Sequence, residues 1–193
     1  MFVEAEIWNV AHTDQGYAVL IKPMGINAAV PVFVGQLEAQ SIIIGMGDIP
    51  MPRPNTHDLF ITGLSKTGST LSKVEITEIR DGIFYSTITI ANISGTVELD
   101  SRPSDSIALA VRTDCPIYIS EKVIDEAAVS LNYISERTEK MNSDFEEKRL
   151  EYEKNLDRAI KEEDYEEAAR IRDQIKDLDE SYFEEDMGQD GEE

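Results

Sequence analysis

Within residues 1–133 one order of elements is written twice, three strand-like runs and then a helix, and this duplication limits the chain to folds built from two like halves. In the first copy Val3 to Val10, Gly16 to Ile21 and Ala29 to Val34 have the β-branched and aromatic make-up of strands, and Gly35 to Ile44 begins a helix. In the second, Ser72 to Ile79, Phe84 to Ile90 and Gly95 to Leu99 lead through Asp100 into another helix. Superposing Ser41-Ile42 on Ser106-Ile107 gives an offset of 65 residues, with Gly35 on Asp100 and Ile44 on Leu109. Strand triplets joined by short turns such as Asp81-Gly82 pair antiparallel, so the expected class is α+β, an internally duplicated antiparallel strand triplet plus helix.

Between the copies Pro50, Pro52 and Pro54 impose an extended connector, after which Asn55 and Thr56 cap a helix running to about Lys66. After the second copy Pro116 to Ile119 reads as a short strand, and Ser120 caps a helix from Glu121 to about Tyr133. The lone Trp8 reads as a core residue of the first strand.

Past residue 133 the polymer changes. Residues 1–133 hold 8 basic and 16 acidic side chains, and residues 134–193 hold 10 and 23, within a net charge of -21. Ala168, Ile171, Ile175, Leu178 and Tyr182 recur at spacings of three and four, and Tyr152, Leu156, Ala159 and Ile160 form a matching stripe upstream. Glu163-Asp164 breaks the helix between them, with Asp164 and Glu167 resembling a capping box. The expected result is a C-terminal helical hairpin too small to bury both stripes. Tyr165, Ala168, Ile171, Ile175 and Leu178 are read as its partner-binding residues. The domain reading is 1–133 for the α+β domain, 134–143 for a linker, 144–182 for the hairpin and 183–193 for a disordered acidic tail. A homo-oligomer is expected, because the hairpin wants a partner and the sheet leaves an edge.

Cys115 stands alone in an apolar setting, which suits a small core residue in a reducing compartment. The start of the chain carries Glu4 and Glu6 where a signal peptide needs basic residues, and no segment has the ~18 uninterrupted apolar residues of a membrane span. A cytoplasmic protein without membrane contact is expected. The acidic balance disfavours coating of nucleic acid, since that affinity comes from Lys and Arg displacing counterions. An enzyme that grips phosphate locally is not excluded by it.

Two polar knots carry the candidate chemistry: Asp100-Ser101-Arg102-Pro103-Ser104-Asp105 at a strand-to-helix joint, and Arg53-Pro54-Asn55-Thr56-His57-Asp58 at the start of the connector helix. With Gly35-Gln36-Leu37-Glu38-Ala39 and Arg80-Asp81-Gly82-x-Phe84-Tyr85 they form four ordered blocks that resemble the signatures of the bifunctional nuclease (BFN) family over roughly residues 3–130. Glu163-Asp164-Tyr165-Glu166-x-Ala168-Ala169-x-Ile171-Arg172-Asp173-x-Ile175 resembles the UVR motif of the UvrB and UvrC excision-repair subunits. The resemblance implies a nuclease acting on RNA and DNA, joined to a hairpin that docks other UVR-containing proteins.

Phosphodiester hydrolysis needs an activated water, charge neutralisation at phosphate oxygens and help for the leaving oxygen. Under that reading the catalytic set is Glu38, His57, Asp58, Asp100 and Asp105. Asp100 and Asp105 could share a divalent cation, Mg²⁺ or Mn²⁺, with Glu38 contributing, and His57 could serve as general base or acid. Arg53, Arg102 and Ser104 would bind the substrate, RNA or single-stranded DNA. Each residue also has a plainer role: acids in first turns complement helix dipoles, Arg102 can lock strand to helix, and Ser104 can cap. The competing function is a non-enzymatic regulatory or scaffolding protein that works through the hairpin.

Overall fold

The computed structural model describes residues 1–13, 16–162 and 164–186, with side chains apart from 136–144 and 180–186. Strands β1 (Phe2–Thr13), β2 (Gly16–Pro23) and β3 (Ala28–Val34) form an antiparallel meander followed by helix α1 (Gln36–Met46). After the connector and helix α2 (Thr56–Lys66), β4 (Thr70–Arg80), β5 (Ile83–Asn92) and β6 (Gly95–Ser101) repeat the meander and lead into α3 (Pro103–Thr113). Strand β7 (Ile117–Ser120) lies between the two triplets, antiparallel to β1 and parallel to β4. With the two-residue β8 (Val129–Ser130) the sheet has the order β6-β5-β4-β7-β1-β2-β3-β8. The class is α+β.

The halves correspond at an offset of 67, not 65. Strands β2 and β5 begin at 16 and 83, β3 and β6 at 28 and 95, and α1 and α3 at 36 and 103. A slip of two keeps every strand side chain on its face but turns a helix by about 200°. The Ser-Ile match therefore set Gly35 against Asp100, whereas the helix starts set Gly35 against Arg102 and Glu38 against Asp105.

One face of the sheet is covered by helices. Val19, Ile21, Val30, Val32, Ile76 and Ile119 close over Ala39 and Ile42 of α1 and Ile107 and Ala108 of α3. Val74, Ile88 and Ile90 pack on Leu109 and Ala110, with Ile61 and Leu64 of α2 and Cys115 at the margin. Burial pushes the Cys115 thiol up, as a packed residue requires. Helices α1 and α3 cross closely at Gly45, where an added Cβ would lie 2.5 Å from Val111 Cγ2 and 2.7 Å from Arg112 Nη1.

The segment after β7 departs from expectation. The helix expected to run to Tyr133 stops as α4 (Glu121–Ala127), because Ala128 turns extended and Val129 pairs with Ala29 of β3. Leu131 then opens α5 (Leu131–Lys161), uninterrupted by Gly or Pro, so the 134–143 segment read as a linker lies inside a helix. Leu131 and Ile134 pack on Leu20 and Ala29 of the opposite sheet face. Asp164 caps α6 (Tyr165–Asp186) by accepting the Glu167 N–H at 3.1 Å. Of the expected acidic tail, residues to Asp186 continue α6, and 187–193 lie outside the described residues, as does Glu163 of the expected break. Trp8 sits at a bulge in β1, between Ile7 and Asn9, and is 39% exposed instead of core. Among the described residues no helix is long and apolar enough to cross a membrane.

The crossing yields a test. Gly45→Ala forces α1 off Val111 and Arg112 and is expected to cost about 1–3 kcal/mol of unfolding free energy by urea titration. Gly63→Ala in α2, where a Cβ meets nothing within 4 Å, is expected to be neutral or to stabilise by about 0.5–1 kcal/mol.

Candidate functional site

The first turns of α1 and α3 carry one acid each, Glu38 and Asp105, at positions related by the 67-residue offset, where a carboxylate complements the helix dipole. Arg102, the N-cap residue of α3, binds both. Its Nε and Nη2 donate to Asp105 Oδ2 and Oδ1 at 2.9 and 3.1 Å, and its Nη1 donates to Glu38 Oε1 at 3.1 Å. The joint is fixed from beneath by a knot of hydroxyls: Ser86 of β5 bonds Ser106 of α3 at 2.8 Å and donates to the Ser101 carbonyl at 2.7 Å. Both Ser86 and Ser106 are fully buried.

Helix α2 brings the imidazole. Asp58 anchors its start by accepting the Asn55 N–H at 2.8 Å. His57 then reaches Asp105 Oδ1 through Nε2 at 3.5 Å and Ser41 Oγ of α1 through Nδ1 at 3.0 Å. Beneath them the Arg112 side chain is 7% exposed. It donates to Asp58 Oδ1 at 2.8 Å, to the Ala108 carbonyl at 2.7 Å and to Ser41 Oγ at 3.4 Å. Above the network lies an open groove of ≈ 670 Å³ bordered by Glu38, Ser41, Asn55, His57, Arg102 and Asp105. A smaller hollow of ≈ 340 Å³ shares Glu38 and Arg102 with it and includes Phe84 and Ser104.

Hydrogen bonds from the Arg102 guanidinium hold the Asp105 carboxyl below the usual range, with His57 adding to the effect. Burial alone would raise Asp58, but the Asn55 N–H and Arg112 outweigh it and leave its carboxyl low. Asp105 in turn leads the causes that raise Arg102.

Of the residues proposed from sequence, Glu38, His57, Arg102 and Asp105 converge, and Asp58 stands one layer behind through Arg112. Asp100 does not join them. It is exposed on β6 opposite Thr87, and strand alternation turns it away from Ser101 and the serine knot. Arg53 borders an adjoining hollow of ≈ 590 Å³ with Asp58 and Arg112, which shares Ile44, Met51 and Pro54 with the groove, and it makes no ion pair among the described residues. Ser104 is buried in the first turn of α3 and is not its cap, since Arg102 holds that position. The expected Asp100–Asp105 cation pair is not formed: the Arg102 guanidinium lies on Asp105, and no three His, Cys, Asp or Glu side chains among the described residues are grouped to hold a metal. Sequence reasoning missed Ser41, Arg112 and the serine knot. The one available signal was Arg112 itself, a cation closing the apolar run from Ile107 to Val111.

In the hairpin, Ala168 and Ile171 are buried against Ala159, with Tyr152, Leu156 and Ile175 packed around them. Those stripes close on each other. Leu178 is partly buried, whereas Tyr165 is 70% exposed and Ile160 42%.

The bifunctional nuclease domain matches residues 18–132, more than half of the chain, and the UvrB/uvrC motif matches residues 146–181. An uncharacterized protein of Mycobacterium tuberculosis is 32% identical over 111 residues, covering 58% of this chain and 66% of that protein. Bifunctional nuclease 1 of Oryza sativa subsp. indica is 25% identical over 178 residues, covering 82% of this chain and 54% of its own length. Bifunctional nuclease 2 of Arabidopsis thaliana is 24% identical over 170 residues, covering 78% and 52%. The chain thus spans about half the length of these plant relatives and just under two thirds of the mycobacterial one.

Acid stability follows from the two lowered carboxyls. Asp58 and Asp105 bind protons less readily folded than unfolded, so their stabilisation is complete above the unfolded value of ~3.9 and is lost as pH falls through their folded values. Urea midpoints measured below about pH 4 are expected to drop steeply for the native chain and less steeply for Asp58→Asn and Asp105→Asn.

Proposed function

Since the chain belongs to the bifunctional nuclease domain family, we propose that it hydrolyses phosphodiester bonds in RNA or single-stranded DNA in the groove where α1, α2 and α3 meet. The observation that carries this is the convergence of Arg102, His57, Asp105 and Glu38 from three separate segments onto one hollow. Arg102 is 65% exposed and keeps N–H donors for a phosphate oxygen, exchanging a carboxylate for it as the substrate enters. His57, at 18% exposure, presents its imidazole on the groove wall.

The patch is short of positive charge, with Glu38, Asp58 and Asp105 set against Arg102 and Arg112. We therefore include a divalent cation, Mg²⁺ or Mn²⁺, that arrives with the substrate phosphate. The UVR hairpin is proposed to dock UVR-containing proteins or a second copy of the chain, with Tyr165 and Ile160 as its free apolar contacts. One observation favours a scaffold without catalysis: both carboxylates beside the groove already occupy Arg102, as a purely structural lock would.

His57→Ala, Arg102→Ala and Asp105→Asn are each expected to lower cleavage of single-stranded RNA by about 10²-fold or more with folding intact by circular dichroism, and chelation to abolish it until Mg²⁺ or Mn²⁺ is restored. Activity retained by all three variants would leave the scaffold. Asp100→Ala separates a role for the whole strand-to-helix joint from one confined to the groove. For the hairpin, Ile160→Asp with Tyr165→Ala is expected to reduce the mass of the full chain by light scattering; an unchanged mass removes that contact.

A further inference from the structure

We infer that Ser41, backed by Arg112, is a positioning residue that holds the neutral His57 ring as its Nε2–H tautomer, so that the imidazole meets the groove as an N–H donor and not as a base. This rests on the reading that His57 acts on a phosphate, and it narrows what the ring does there.

The two ring nitrogens have unlike neighbours. Nε2 lies 3.5 Å from Asp105 Oδ1. An ionised carboxylate only accepts, and Arg102 keeps this one ionised, so a proton on Nε2 is attracted and a lone pair there is repelled. On the other side Nδ1 lies 3.0 Å from Ser41 Oγ, a hydroxyl with a single proton to give. That oxygen also faces Arg112 Nη2 at 3.4 Å, and a guanidinium has only donors. Ser41 accepts from Arg112, and its own proton is then available for Nδ1, the ring atom that the Asp105 side leaves unprotonated. The side chain of Ser41 has no other hydrogen-bond partner among the described residues. Arg112 cannot turn away, because Asp58 and the Ala108 carbonyl hold it at 2.8 and 2.7 Å in a nearly closed site.

Both flanks thus select one tautomer, and the bond at one nitrogen sets the state of the other. Where a phosphate oxygen takes the place of Asp105 Oδ1 beside Arg102, the Nε2–H is already aimed at it and stabilises its negative charge. Ser41 touches no substrate in this scheme and acts only through the ring.

The chain has two histidines, His12 and His57, so the ring nitrogens of the nitrogen-15-labelled full chain are assigned with the single variant His12→Gln. About two pH units above the ordinary imidazole value of ~6.5, His57 is expected to show a protonated Nε2 and an unprotonated, hydrogen-bonded Nδ1. Ser41→Ala is expected to move the Nδ1 signal to that of an unbonded ring nitrogen. It should also lower kcat on single-stranded RNA by about tenfold with KM changed by less than about twofold, and Ser41→Thr should restore both. A wild-type ring protonated on Nδ1, an Nδ1 signal indifferent to Ser41→Ala, or an undiminished kcat in that variant each overturns the assignment. A ring fixed as Nε2–H in a chain that cleaves no RNA supports the tautomer and defeats the nuclease reading, so the two failures are told apart.

Discussion

A guanidinium taken out of water must find acceptors for its donors, and the site is organised around meeting that demand for Arg112. Its partners come from three helices: Asp58 on α2, Ser41 on α1 and the Ala108 carbonyl on α3 itself. Satisfying one buried cation therefore fixes the relative placement of all three. His57, next to Asp58 in sequence and bonded to Ser41 in space, inherits its position from that arrangement. The serine knot does the equivalent work one layer lower, tying β5, the end of β6 and α3 together so that Arg102 and Asp105 emerge at a fixed angle.

The electrostatics are local in a chain that carries -21 overall. Such a surface cannot gather polyanions by counterion release, so recognition of a nucleic acid strand must come from close contacts in the groove. Within the cluster Arg112 holds the Asp58 carboxyl low and Arg102 does the same for Asp105, while Arg102 also binds Glu38. The cluster is poised to trade one anion for another at Arg102, the most exposed member. This suits turnover better than tight retention.

The α+β class, the two strand triplets, the connector helix and the terminal hairpin were legible because hydrophobic period, prolines and turn residues are local signals. The offset of 65 rests on a Ser-Ile match and not on the positions where helices begin; strands do not register a slip of two, and helices do. The break at Ala128 escaped because its cause is pairing with β3, a contact 100 residues away in sequence. Glu38, His57, Arg102 and Asp105 were found because they sit at element starts, where polar residues stand out. Ser41 and Arg112 lie inside helices among apolar neighbours, and their significance comes only from the crossing. Asp100 shows the opposite error: adjacency in sequence across a strand end does not put two side chains on one face.

The residue that corresponds to Arg112 in the first half is Gly45, and the two meet at the crossing. Val111 and Arg112 occupy the space beside Gly45, so the crossing holds the large side chain of one half against the bare backbone of the other. Two identical halves would have collided there. The two halves are therefore alike in backbone and unlike at this crossing, and the domain carries a single buried guanidinium on one side of it.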